Sequence, residues 1–329
     1  MAGTPWNGRR VLVTGATGMV GSHLVRRLQA AGAEVVAMVR DVDPQTEFYR
    51  AGLDRRSRVV NGALEDYATV ERAVSENEVD AVFHLGAQTL VGTARRSPLL
   101  TFESNIRGTY HVLEACRQHA AVVRCVIVAS SDKAYGECPA LPYREDTPLG
   151  GRYPYDVSKT CTDLVAQSYR HTYGLPIAIA RCGNIYGPGD LNWSRIVPGT
   201  IRSALGGERP VIRSDGKFIR DYLYLNDVAE AYLAMAERIE DPRVAGGAFN
   251  FSTESRVTVL EIVRIILEMM GRQDLEPVIE NRAVSEIRDQ TLDASKARDV
   301  LSWRAHYDLR AGLAETIPWY RQYLTTSAR

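Results

Sequence analysis

Tyr155 and Lys159 stand four residues apart, a spacing that puts both on one face of a helix. An ammonium held beside a phenol favours phenolate, so such a tyrosine can take a proton from a hydroxyl near neutral pH. Once that proton is gone, a hydride can leave the same carbon, and it needs an acceptor. A place for one lies near the start of the chain, where TGATGMVG spaces Gly15, Gly18 and Gly21 as Gly-x-x-Gly-x-x-Gly. Glycines allow a tight turn and close approach to a pyrophosphate, and a following helix offers free N–H groups and its positive dipole end. A third group, Ser130, Ser131, Asp132 and Lys133 in VASSDKAYG, follows an apolar run. Each signal has a plain structural alternative, because strand-to-helix turns use glycine without any ligand and Tyr-x-x-x-Lys is commonplace. Their combination points to dinucleotide redox chemistry.

The elements that must position these residues follow from hydrophobic patterning. Short apolar runs at Val11–Val13, Val35–Val39, Arg58–Val60, Ala81–Leu85, Val122–Ala129 and Ile177–Ala180 read as strands. Helical patterns lie between them; Val20, Leu24, Val25 and Leu28 share one face, and Gly32 supplies a stop. Alternation of this kind predicts an α/β fold, a doubly wound parallel sheet of the Rossmann type. After Gly183, Pro188, Gly189, Pro198, Gly206, Gly207 and Pro210 break the pattern into short segments. The expected division is therefore a dinucleotide-binding domain over residues 1–182 and a smaller, mainly substrate-binding domain over 183–329, some of whose segments return to the first. Ala311–Leu324 reads as a surface helix with aromatic packing.

Composition narrows the partners. At about 150 residues per domain, 329 residues make roughly two domains, and 45% hydrophobic with 24% charged residues is ordinary globular usage. Forty Lys and Arg balance forty Asp and Glu, so no net field draws the chain to nucleic acid or an anionic membrane. No leader pattern precedes the first strand and no apolar run reaches membrane-span length, which gives a cytoplasmic expectation. Cys116, Cys125, Cys138, Cys161 and Cys182 are odd in number and contain no C-x-x-C pair, so neither a disulfide framework nor a metal site is expected.

The second strand also bears on the cofactor. Counted from Gly32, the position where an acidic residue would bond a ribose 2′-hydroxyl falls on Val39, and Arg40 follows, suited to a 2′-phosphate. NADP is favoured on that basis, with NAD the alternative and Arg40 then a solvated surface charge.

With these residues in view, the chain resembles the extended short-chain dehydrogenase/reductases of the nucleotide-sugar epimerase/dehydratase group. The resemblance runs from TGATGMVG through HLGAQ, TFESNIRGT, SSDKAYG, YDVSK and RCGNIYGPGD to RDYLYLNDV and LDASKARDVLSW. HLGAQTLV, SDKAY and RCGNIYGPGD followed by RIVP look most like CDP-glucose 4,6-dehydratases. The resemblance implies Tyr155 as the base at the carbon-4 hydroxyl, Lys159 on the nicotinamide ribose, Ser131 bonding the same hydroxyl, and Asp132 as proton donor to the departing carbon-6 hydroxyl. Lys133 stands where relatives carry a glutamate that takes the carbon-5 proton; a lysine serves there only if its pKa is depressed, and otherwise orients a water or another group. His84 reads as a structural or cofactor-lining residue.

The cofactor surface so implied comprises Gly15, Thr17, Gly18, Met19, Val20 and Gly21. Arg40, Leu64, Leu85, Gly86, Ala87 and Ser130 join them, with Tyr155 and Lys159. Gln88, Asn184, Arg195, Arg220 and Arg288 are implied for the nucleotide-sugar substrate, arginine forks suiting phosphate oxygens. Ala63 departs from the family pattern, where many relatives have an aspartate that bonds adenine. The activity implied is 4,6-dehydration of an NDP-glucose, CDP-glucose favoured. A 4-epimerase and a non-catalytic NAD(P)-binding regulator remain as alternatives. The resemblance also implies a homodimer through the helices containing Thr109 and Tyr155.

Overall fold

A computed structural model describes residues 4–282 and 286–327. Its centre is a seven-stranded parallel sheet. In chain order the first six strands are β1 (Arg10–Thr14), β2 (Glu34–Val39), β3 (Ser57–Asn61), β4 (Ala81–His84), β5 (Cys125–Ala129) and β6 (Ile177–Cys182). The seventh, Ala248–Phe251, pairs with β6, and across the sheet the order is seventh, β6, β5, β4, β1, β2, β3. The chain builds outward from β1 through β2 to β3, then crosses back to β4 and builds the other way. That reversal opens a crevice at the carboxyl ends of β1 and β4, where Thr14 and His84 are register partners.

Helices cover both faces, so the strands are near-continuous apolar runs. Side chains alternate between two cores. Val11 and Val13 pack with Leu24, Leu28 and Met235 on one face, while Leu12 packs with Val70, Val112 and Ala166 on the other. The first helix, Met19–Ala30, buries Leu24, Val25 and Leu28, and Gly32 turns the chain into β2 at φ +88°. β5 starts at Cys125 rather than the expected Val122, because the N–H groups of Val122 and Val123 both donate to the His119 carbonyl and close the preceding helix.

Beyond β6 a third core forms around Tyr186, Ile201, Ile262, Ile266, Leu313 and Tyr320. The C-terminal helix, Leu309–Ser327, is part of this core rather than a surface helix. The Tyr320 hydroxyl donates to the Asp190 carbonyl at 2.7 Å, and Trp193 meets that ring edge-on. Among the described residues no helix is long and apolar enough to cross a membrane.

Candidate active site

The glycine loop leaves β1 and enters the first helix. Gly15 holds φ +67°, and a β-carbon there would lie 2.8 Å from the Gly86 nitrogen; one at Gly21 would collide with the Gly15 carbonyl. Backbone from two strand ends thus closes together with no side chain between. The helix starts at Gly18 with no side-chain cap, leaving its first N–H groups free for an anion. Ser130 adds a buried hydroxyl with no hydrogen-bond partner among the described residues. A bare cradle, an uncapped helix end and an orphan hydroxyl on one cavity fit a dinucleotide.

That cavity has a volume of about 1390 Å³ and runs from the glycine loop to the third core. It brings together every expected cofactor residue and the five expected catalytic ones. Tyr155 and Lys159 lie on the helix Pro154–Tyr173, which starts with proline in its first turn and ends at Gly174 in left-handed conformation. Ser131 donates to Asp132 Oδ1 at 2.9 Å and accepts from the Lys133 N–H at 3.3 Å. Lys159 Nζ donates to the Ala129 carbonyl at 2.8 Å.

Asn184, Arg195 and Arg220 also line the cavity. Arg195 is fixed by Asp190 at 3.1 Å and Thr89 at 3.0 Å, and Arg220 is buried with Glu286 at 3.6 Å. Gln88 and Arg288 are not brought in. The Gln88 Oε1 accepts from the Leu90 N–H, and the Arg288 side chain is exposed while its carbonyl accepts from Arg220. Arg213 and Arg282 stand on the cavity wall unanticipated, since nothing local in the sequence distinguishes them from other surface arginines. Arg40 reaches the rim, but its Nε donates to Asp41 Oδ2 at 2.6 Å, so its charge is already compensated. This weakens the basis on which NADP was favoured.

Burial dominates the electrostatics. The Tyr155 phenol is pushed up by desolvation, opposed by the Arg195 charge. Lys159 is pushed down to about 8 by the same burial. Desolvation also lowers Lys133, against the pull of Asp132. Asp156 was overlooked although it sits inside YDVSK; burial pushes its carboxyl up to about 6, with Lys133 opposing.

His84 proves structural. Thr14 Oγ1 accepts from the Leu85 and Gly86 N–H groups at 3.1 and 3.0 Å, so its proton goes to His84 Nδ1 at 2.9 Å. That leaves Nε2–H to donate to Thr109 at 3.0 Å. Burial depresses the ring to about 3, and it stays neutral.

The fold and this site define a Rossmann-type protein of the extended short-chain dehydrogenase/reductase class. Residues 11–250 match the NAD dependent epimerase/dehydratase family, and the chain belongs to that family. It is 32% identical to a dTDP-4-dehydro-6-deoxy-D-allose reductase of Streptomyces bikiniensis over 98% of this chain and 99% of the relative. It is 30% identical to the CDP-glucose 4,6-dehydratase of Salmonella typhimurium over 97% and 92%. Among solved structures, the UDP-glucose 4-epimerase of Thermotoga maritima with UDP-glucose superposes with a TM-score of 0.87 at 29% identity, covering 96% of this chain and 99% of that one.

Proposed function

We propose that the protein is an NDP-glucose 4,6-dehydratase, with CDP-glucose the favoured substrate and NAD the resident cofactor. The observation that carries this reading is the trio Ser131, Asp132 and Lys133, Asp132 buried and the other two partly buried, on the cavity that Tyr155 also lines: two ionisable groups beyond what carbon-4 oxidation needs. The similarity to the Salmonella enzyme supports the cytidine nucleotide. The family's dependence and the Arg40–Asp41 pair support NAD over NADP.

When bound, the nicotinamide would supply reversible hydride storage between carbon 4 and carbon 6. Gly15, Gly18 and Gly21 would hold its pyrophosphate, and Lys159 and Ser130 the nicotinamide end. Tyr155 removes the carbon-4 hydroxyl proton, with Ser131 bonding the same hydroxyl. The resulting ketone acidifies the carbon-5 hydrogen, which the Lys133 amine takes while Asp132 protonates the carbon-6 hydroxyl leaving as water. Lys133 then returns its proton to carbon 5. Desolvation lowers Lys133 from its ordinary value, the direction a base at this position requires. Arg195 and Arg220 supply charge for the substrate diphosphate.

Asp132 argues against a 4-epimerase, whose reaction has no carbon-6 leaving group to protonate. The test is CDP-glucose, then other NDP-glucoses, deuterated at carbon 4, with the product read by NMR. Deuterium in a carbon-6 methyl beside a 4-keto group is expected. Label retained at carbon 4 with inverted configuration means an epimerase, and no conversion of any 4-hydroxy substrate overturns the reading.

A homodimer belongs to the same proposal. Leu99, Leu100 and Leu164, on helices that pack together, are 68%, 66% and 51% exposed, an apolar face that a second copy would cover.

A further inference from the structure

The Lys133 amine is held by a residue from the far end of the chain. Its Nζ donates to Gln290 Oε1 at 2.6 Å, across 157 positions of sequence. Gln290 is fully buried, and its Nε2 has no partner among the described residues. A buried amide with one end unsatisfied costs stability that a leucine of similar size would not. Filling space therefore does not explain a glutamine at this position.

Backbone bonds hold it still. The Gln290 N–H donates to the Ile219 carbonyl at 3.3 Å, the Ile219 N–H to the Arg288 carbonyl at 2.9 Å, and the Tyr143 N–H to the Thr291 carbonyl at 2.8 Å. Charged groups face Lys133 from every side: Asp132 from its own turn, Asp156 from the Tyr155 helix, Arg220 from the strand Ile219–Arg220, and Glu286 from the segment leading to Gln290. Two of the carboxylates are engaged elsewhere, Asp132 by Ser131 at 2.9 Å and Glu286 by Arg220 at 3.6 Å. The close partner of the amine is thus a neutral carbonyl.

We propose that Gln290 is a positioning residue for Lys133, fixing the amine toward the cavity through one N–H while leaving its lone pair free to take the carbon-5 proton. This rests on the dehydratase reading. An amide oxygen accepts from an amine in either protonation state, whereas a carboxylate in its place would favour the ammonium and disable the base.

The test uses the full chain with NAD and carbon-4-deuterated CDP-glucose. In Gln290→Glu the acidic limb of the elimination rate should move up by about one pH unit or more, a tenfold loss below the limb. The first oxidation, read as reduced-nicotinamide absorbance in a single turnover, should change by less than about twofold, so reduced cofactor accumulates. Gln290→Leu, which keeps the volume, should slow elimination about tenfold with no shift of the limb. An unmoved limb in Gln290→Glu, or wild-type elimination in Gln290→Leu, overturns the proposal. Wild-type product with no label at carbon 6 overturns the dehydratase reading and this proposal with it; label at carbon 6 with an unmoved limb overturns this proposal alone.

Discussion

Arg181 of β6 grips Asp163 on the Tyr155 helix through two hydrogen bonds, Nε to Oδ2 at 2.8 Å and Nη2 to Oδ1 at 2.9 Å, with both side chains almost wholly buried. Its Nη1 also donates to the Tyr135 hydroxyl at 2.8 Å, in the turn that carries Asp132 and Lys133. One guanidinium therefore ties the Tyr155 helix, the sheet and the turn of Asp132 and Lys133 together.

Removing one member of that pair strands the other charge in the interior. Asp163→Ala should cost about 3–5 kcal/mol, read from the denaturant midpoint, while Asp163→Leu with Arg181→Met should lose less. A double variant as unstable as the single one would show that the pair acts through something other than an uncompensated charge.

Tyr155→Phe should bind NAD and sugar nucleotide normally and lose about 10²–10⁴-fold in the oxidation step, since it removes a proton acceptor and little surface. Single-turnover absorbance of reduced nicotinamide measures this. A wild-type rate would take Tyr155 out of its role.

The Arg40–Asp41 pair sets an expectation for the cofactor. Calorimetric titration of the wild type should find NAD bound more tightly than NADP, and Asp41→Ala, by releasing Arg40, should narrow that preference about tenfold. Equal affinities before and after the substitution would leave Arg40 a surface charge without influence.

His84 makes stability depend on pH. Its folded value of about 3 lies below the unfolded 6.5, so the neutral ring contributes stability present above pH 6.5 and lost as pH falls toward 3. The loss from this group is about 1.4 kcal/mol per pH unit, or about 2 kcal/mol by pH 5. His84→Asn should be less stable at pH 7, having broken the Thr14–His84–Thr109 chain, yet show a shallower decline between pH 7 and 5. Denaturant titrations at the two pH values would expose an unchanged slope, which would assign the acid sensitivity to another group such as His23, also depressed by burial, to about 4.

Much of this protein is decided within short stretches of chain. The glycine loop, the Tyr155–Lys159 spacing and the apolar runs of β1 to β6 are local facts: a turn needs glycine where it needs φ +67°, and a strand buried on both faces must be apolar throughout. Such features were legible because neighbours in sequence satisfy them. Even Asp156 was within reach, lying inside the motif that drew attention to Tyr155.

Other features depend on which distant segments meet, and residue types do not announce that. Arg213 and Arg282 line the cavity whereas Arg288 faces solvent, because the path of the chain beyond β6, and not the arginine itself, sets the direction. The partner of Lys133 is a glutamine 157 residues away, and the tautomer of His84 is settled by a chain of bonds from Thr14 to Thr109. Burial does the rest: desolvation raises Tyr155 and lowers Lys159 and Lys133, and its extent exists only when the strand ends, the helix and the third core close around them.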